Sequence, residues 1–199
     1  MSALVWCALA WAGWCALHSG LAGTVLAHPL ERLFARYYRL FYNVISVLSI
    51  GPIWHYTQSL RGDDIWAWSG WLRFVQVLMW MVACGLFYGA GRRYDLRAFA
   101  GWVPAGRGMA AEGLDTQGVL GHLRHPWYLA FLLVLWGRDM ARVDVAVSAV
   151  LSAYICVGAL LEERKLARAY GEVYRRYQRR VPMLLPWKSA GRLWRAVRA

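Results

Sequence analysis

Hydrophobic positions along this chain are gathered into long runs with few charges in them. Residues 2–27 carry no charged side chain, residues 40–60 carry none, residues 69–91 carry only Arg73, and residues 143–161 carry only Asp144. A helix rising about 1.5 Å per residue needs about 20 such residues to cross a hydrocarbon core about 30 Å thick, and each run is near that length. A fifth uncharged run, residues 126–137, is shorter and predicts one arm of a helical hairpin with the run after it. The pattern therefore predicts an all-α polytopic membrane protein with about five transmembrane helices. Its connections fall at Pro29, at Pro52 and at the Gly-Asp-Asp turn of 62–64.

Composition agrees with that reading. Of 199 residues, 59% are hydrophobic and 13 are Trp, too apolar a balance for an ordinary soluble domain. The net charge of +12 would suit a nucleic-acid partner, but its distribution assigns it to the membrane instead. Arg32, Arg36 and Arg39 follow the first run, Arg92, Arg93, Arg97, Arg107 and Arg124 follow the third, and eleven Lys and Arg follow Glu163. The loops at 61–64 and 138–144 balance Arg against Asp. The positive-inside rule then predicts an N-terminus outside and a C-terminus in the cytoplasm, as in a bacterial inner membrane. The tail at 187–199, with Leu193, Trp194 and Val197 among its cations, predicts a basic interfacial helix on membrane lipids. Residues 2–27 lack the basic start and the cleavage site of a secretory signal. Cys7, Cys15, Cys84 and Cys156 all lie in apolar runs without paired spacing, which predicts packing roles and neither disulfides nor metal.

Candidate chemistry concentrates in the second half. Residues 91–125 are rich in Gly and charge and predict an irregular cytoplasmic segment. The sequence RHPWY at 124–128 follows it, with Pro126 suited to the first turn of a helix. The free N–H groups of that turn suit an anion; from composition alone a basic loop anchor is the simpler explanation of Arg124 and His125. Glu162 and Glu163 end the last apolar run, where a carboxylate requires water, a cation or a ligand. A salt bridge to a nearby Arg is one explanation; hydrogen bonds from the hydroxyls or amine of a ligand are another. The helix is expected to continue past Glu163, with Leu166, Tyr170, Tyr174 and Tyr177 at spacings of three and four, weakened at Gly171 and ended by Val181-Pro182.

The stretches GVLGHLRHPWYLAFLLVLWG at 118–137 and EERKLARAYGEVYRRYQRRVPMLLP at 162–186 resemble the isoprenylcysteine carboxyl methyltransferase (ICMT) family of membrane enzymes. The resemblance rests on RHPxY, a helical hairpin, EExxL, GxxYxxY and RVPxLxP in combination, over roughly the last 85 residues. It implies S-adenosylmethionine as cofactor without a Rossmann fold. It also implies that His125, Pro126, Trp127 and Tyr128 line the cofactor site, that Glu162 binds the cofactor, and that Leu114 and Leu120 lie nearby; Arg124 and Glu163, beside them in the two motifs, are further cofactor candidates. The helix after Glu163 would fold over as a lid. One position departs from the pattern: prenylcysteine enzymes hold the substrate carboxylate with an Arg one turn before the cofactor Glu, and here that place is Gly158. Gly cannot supply such a charge-assisted pair, so a thiol acceptor is favoured over a prenylcysteine carboxylate.

In the first half, HSGLA at 18–22 and YRLFYNVISVLSIGPI at 38–53 are similar to a bacterial branch containing methanethiol S-methyltransferases and the NnrU proteins. Polar groups within spans face the bundle interior, which makes His18 a candidate catalytic base and Asn43 a candidate substrate contact; structural hydrogen bonds between helices are the other explanation. The expected organisation is one membrane domain over 1–199: a three-helix scaffold at 1–90, a cofactor-binding half at 91–186 and the basic tail. The expected function is transfer of a methyl group to a small or lipophilic acceptor. An NADPH-dependent reductase related to sterol reductases, and a non-catalytic NnrU-like membrane partner, are the alternatives.

Overall fold

A computed structural model describes residues 2–22, 27–102 and 113–185; the basic tail at 187–199 and Arg107 lie outside them. The described chain is almost wholly helical. Its α-helices are α1 (Ala3–Ala22), α2 (Ala27–Phe34), α3 (Tyr38–Ser59), α4 (Leu72–Gly91), α5 (Leu96–Ala100), α6 (Pro126–Trp136), α7 (Arg142–Tyr170) and α8 (Glu172–Arg180). Single 3-10 turns occupy Ala35–Tyr37 and Gly118–Gly121. Two short strands, β1 (Asp64–Trp66) and β2 (Met140–Ala141), pair antiparallel.

Three helices, α1, α4 and α7, are long and apolar enough to cross a membrane, which makes the chain an integral membrane protein. Their outward faces carry large apolar side chains, among them Trp6 and Leu9 on α1 and Phe74, Leu78 and Met81 on α4, all exposed. Such faces are stable only against lipid or protein. Of the five expected spans, α3 has 22 residues but carries Asn43, Ser46, Ser49, His55, Thr57 and Gln58. The helix α6 has 11 residues, about 16 Å of rise, and is too short to cross alone. The two prolines expected in loops are helical. Pro29 sits in the first turn of α2, where its missing N–H is harmless, and Pro52 lies inside α3. In α7 the uncharged run ends at Leu161, and the helix continues beyond it as a charged extension.

The contacts divide the chain into two units. The first comprises residues 1–69, 95–105 and 138–154. Its core is Cys7, Trp11, Ala141, Val143 and Val147, packed against Ile50, Ile53 and Leu151. Polar groups between α1 and α3 are paired within it: the Trp11 indole donates to Thr57 Oγ1 at 2.9 Å, and Thr57 returns its own hydrogen to Ile53 O. At one end the charge-balanced loops meet. Asp144, 2% exposed, receives Arg61 Nε at 3.1 Å, Arg138 Nη1 at 3.2 Å and the Ala141 N–H at 2.9 Å. A buried carboxylate requires this degree of pairing. Elsewhere in the unit, Gly101 has φ +85°, and a Cβ there would stand 2.4 Å from the backbone nitrogen of Leu40, so only glycine allows α5 to end against α3.

The second unit comprises residues 70–94, 106–137 and 155–199. Here α4 packs along α6, with Phe87 edge-on to Phe131 at 4.9 Å and the Trp80 indole donating to Gly137 O at 2.6 Å. Contrary to the expectation of one weakened helix after Glu163, Gly171 divides it. Its φ of +57° and ψ of −130° belong to glycine alone, and α8 starts in a new direction. Val181 is extended, as a residue before proline must be, and ends α8. Replacement of Asp144 by Ala is expected to remove about 2–3 kcal/mol of stability by taking away the buried carboxylate that Arg61, Arg138 and the Ala141 N–H share, read as a lowered melting temperature in detergent.

Candidate functional site

The second unit gathers most of the candidate residues around Glu163. Its carboxylate, 7% exposed, accepts from Arg124 Nε and Nη2 at 2.9 and 2.8 Å, His125 Nε2 at 2.7 Å, Tyr174 Oη at 2.6 Å and Gln178 Nε2 at 2.6 Å. Arg124 also donates through Nη1 to the carbonyls of Gln178 and Val181, which close the last turn of α8. The backbone N–H groups of Arg124 and His125 donate to Pro182 O and Met183 O at 3.0 and 3.1 Å. Residues 124–125, the extension of α7 and residues 174–183 are thereby fastened together. Burial raises the Glu163 carboxyl, but the His125, Arg124, Tyr174 and Gln178 donors outweigh it and hold the group down at about 2. Tyr174 is pushed up by burial and by the Glu163 charge, and keeps its proton for that bond.

Glu162, one residue earlier, points elsewhere. Its side chain is 44% exposed and accepts from Tyr128 Oη at 2.8 Å. Tyr128 stacks on His125 with ring centroids 5.3 Å apart and 12° between planes, and His125 Nδ1 stands 3.7 Å from Glu162. Two adjacent carboxylates thus have different environments: one is buried and saturated with donors, the other is accessible and oriented by a tyrosine. Only the accessible one has room for a ligand's hydroxyls or amine.

Around this pair lie the remaining cofactor candidates. Pro126 opens α6, with His125 as the residue before the helix and no side-chain cap. Trp127 donates to Phe87 O at 3.4 Å and lies 5.0 Å from the ring of Tyr94. Burial, then the charges of Glu162 and Asp115, push the Tyr94 hydroxyl up to about 12. Leu120 is buried and its carbonyl accepts from Tyr177; Leu114 packs against the Tyr174, Tyr177 and Val181 cluster. The segment leading to them is anchored by Arg93, which grips Asp115 with two bonds of 2.7 and 2.8 Å.

His18 and Asn43 belong to the first unit. His18 Nδ1 lies 2.9 Å from Ser46 Oγ, and its ring stacks on Trp14 at 5.3 Å and faces Tyr154 edge-on at 6.3 Å. Asn43 Nδ2 donates to Ala100 O at 3.1 Å, so that side chain helps to hold the end of α5. At Gly158 a Cβ would meet nothing within 4 Å, so packing does not demand glycine there. Tyr174 and Gln178 were not identified as partners of Glu163 from sequence. The GxxYxxY spacing carried a signal for Tyr174, but the partnership depends on the turn at Gly171.

Among known proteins, the sequence profile of the family described as NnrU protein matches residues 6–161. A methanethiol S-methyltransferase of a Pseudomonas species is 42% identical over 139 residues, 69% of this chain and 51% of that protein. One of Mycobacterium tuberculosis is 30% identical over 138 residues, 68% and 53% respectively. Methanethiol S-methyltransferase 1 of Bradyrhizobium diazoefficiens is 43% identical over 69 residues, 34% and 24%. The chain therefore spans between about a quarter and about half the length of these relatives. No solved structure matches significantly.

The Glu163 geometry predicts a pH dependence with a defined sign. Because the folded pKa lies below the ordinary carboxylate value of 4.5, its contribution to stability is full above about 4.5 and is lost as pH falls toward about 2. Glu163→Gln is expected to flatten the acid limb of a melting-temperature profile.

Proposed function

The chain belongs to the NnrU protein family, and from that premise we propose that it is an S-adenosylmethionine-dependent methyltransferase of the membrane that methylates a small thiol. One observation carries the reading: an accessible carboxylate, Glu162, oriented by Tyr128 beside a carboxylate already saturated by the protein. The likeness to methanethiol S-methyltransferases supports it, as does Gly158 at the place where the prenylcysteine enzymes that the chain resembles hold the substrate carboxylate with an Arg.

When bound, S-adenosylmethionine supplies a methyl group activated on a sulfonium sulfur. In this reading Glu162 accepts hydrogen bonds from cofactor hydroxyls or amine, with Tyr128 fixing Oε2. Trp127, Leu114 and Leu120 supply apolar walls, and Pro126 presents the start of α6. Arg124, His125 and Glu163 act one step further back: they hold residues 174–183 against residues 124–125 and so keep water from the cofactor. Displacement on carbon at a sulfonium depends on alignment and water exclusion more than on neutralising charge. A thiol must lose its proton as its sulfur bonds to the methyl carbon, and His18 is assigned as the base, with Ser46 setting its tautomer through Nδ1. Asn43 is assigned to the acceptor side. We place the protein in a bacterial inner membrane with the α7 extension and α8 on the cytoplasmic side, where soluble cofactor is present.

Calorimetry with S-adenosylmethionine and S-adenosylhomocysteine on detergent-purified protein tests the cofactor. Binding is expected, and Glu162→Ala should weaken it roughly ten- to a hundredfold by removing charge-assisted hydrogen bonds. No binding by the folded wild type, or binding of NADPH in its place, would overturn the reading. For the acceptor, His18→Ala is expected to abolish methyl transfer to methanethiol while leaving cofactor affinity unchanged; retained turnover would remove His18 from the mechanism.

A further inference from the structure

On the α7 extension, Leu161, Arg164, Lys165, Arg168 and Ala169 line a groove of about 470 Å³. Their spacing of three and four places them on one helical face. Val157 stands one turn earlier on the same face and Leu160 beside it, and these and Leu161 are all more than half exposed. Along one line the surface therefore changes from lipid-compatible side chains to three cations within two turns, at the point where the uncharged run of α7 ends.

Among the described residues the cations are not spent on carboxylates of the same helix. Glu163 faces Arg124 and His125, and Glu162 faces Tyr128, so the two nearest carboxylates on the helix are engaged elsewhere. Among the described residues none of Arg164, Lys165 and Arg168 makes an ion pair. A cationic groove continuous with an apolar strip fits a molecule having an anionic head and acyl chains.

We propose that Arg164, Lys165 and Arg168 form a binding site for the phosphate headgroup of an anionic phospholipid, whose acyl chains lie along Val157, Leu160 and Leu161. The site is separate from the one assigned to the cofactor and does not depend on that assignment. By binding in the leaflet around the α7 extension, the lipid fixes the depth of that extension in the interface. Guanidinium and ammonium groups on one helical face provide several donors to one phosphate, which is more selective than the diffuse attraction of scattered cations.

Native mass spectrometry of the full-length protein, titrated with phosphatidylglycerol or phosphatidylcholine of identical chains, tests the proposal. Phosphatidylglycerol is expected to be retained in preference. Arg164→Gln/Lys165→Gln/Arg168→Gln should weaken it about a hundredfold, from roughly fivefold per cation. The single Arg168→Gln should lose a few-fold. Arg175→Gln/Arg176→Gln/Arg180→Gln on α8 removes the same charge and should leave retention unchanged. Equal retention of the two lipids, or equal loss in both triple variants, would overturn the site, as would displacement of the lipid by inorganic phosphate at comparable concentration. Circular dichroism of each variant, expected to match the wild type, separates loss of the site from loss of the fold.

Discussion

Near the end of α7 the carboxylate of Glu163 is enclosed with four side-chain partners, and the arrangement of the second unit beyond the apolar run depends on that enclosure. Burying a carboxylate is unfavourable by several kcal/mol unless every lone pair is used. Here the requirement draws in Arg124 and His125 from the start of α6 and Tyr174 and Gln178 from α8. Arg124 then closes the end of α8 by binding the carbonyls of Gln178 and Val181. One desolvated charge thus fixes three segments, one of them nearly 40 residues away in sequence.

The same enclosure separates the environments of two neighbouring glutamates. Helical geometry turns successive residues by about 100°, so a helix that buries Glu163 necessarily presents Glu162 on a different face. Tyr128, stacked on the His125 that serves Glu163, reaches across to Glu162. The accessible carboxylate is thereby oriented by groups that are themselves immobilised, which is the preorganisation a ligand site requires. A buried ion network and an exposed carboxylate are adjacent because the first holds the groups that orient the second.

The first unit uses the same physics with a different outcome. Asp144 is nearly inaccessible and paired with Arg61 and Arg138, and the two short strands close over it. No exposed carboxylate accompanies it on the next residue, which is Val145. Its polar groups within α1 and α3 mostly bond to one another, as Trp11 does to Thr57 and His18 to Ser46. In a medium without water such pairing is the only means of satisfying them.

Much of this was legible in the order of residues. Long uncharged runs fix helices, because backbone groups in lipid can be satisfied only within a segment, and the run boundaries at Gly91 and Pro126 reappear as the end of α4 and the start of α6. The RHPWY and EE motifs marked where charge meets the membrane. What the sequence by itself could not decide was which glutamate is buried, since Glu162 and Glu163 are identical in chemistry and adjacent. That choice rests on the phase of α7 against α6 and on the reversal at Gly171, both products of packing between distant segments. Prolines showed the same limit: Pro29 and Pro52 read locally as breaks, yet Pro29 stands in the first turn of α2, where its missing N–H is harmless, and Pro52 stands inside α3, where the surrounding helix overrides the local preference. Periodicity and charge determined the elements and their membrane character; contacts across tens of residues determined which polar groups are consumed by the fold and which remain for a ligand.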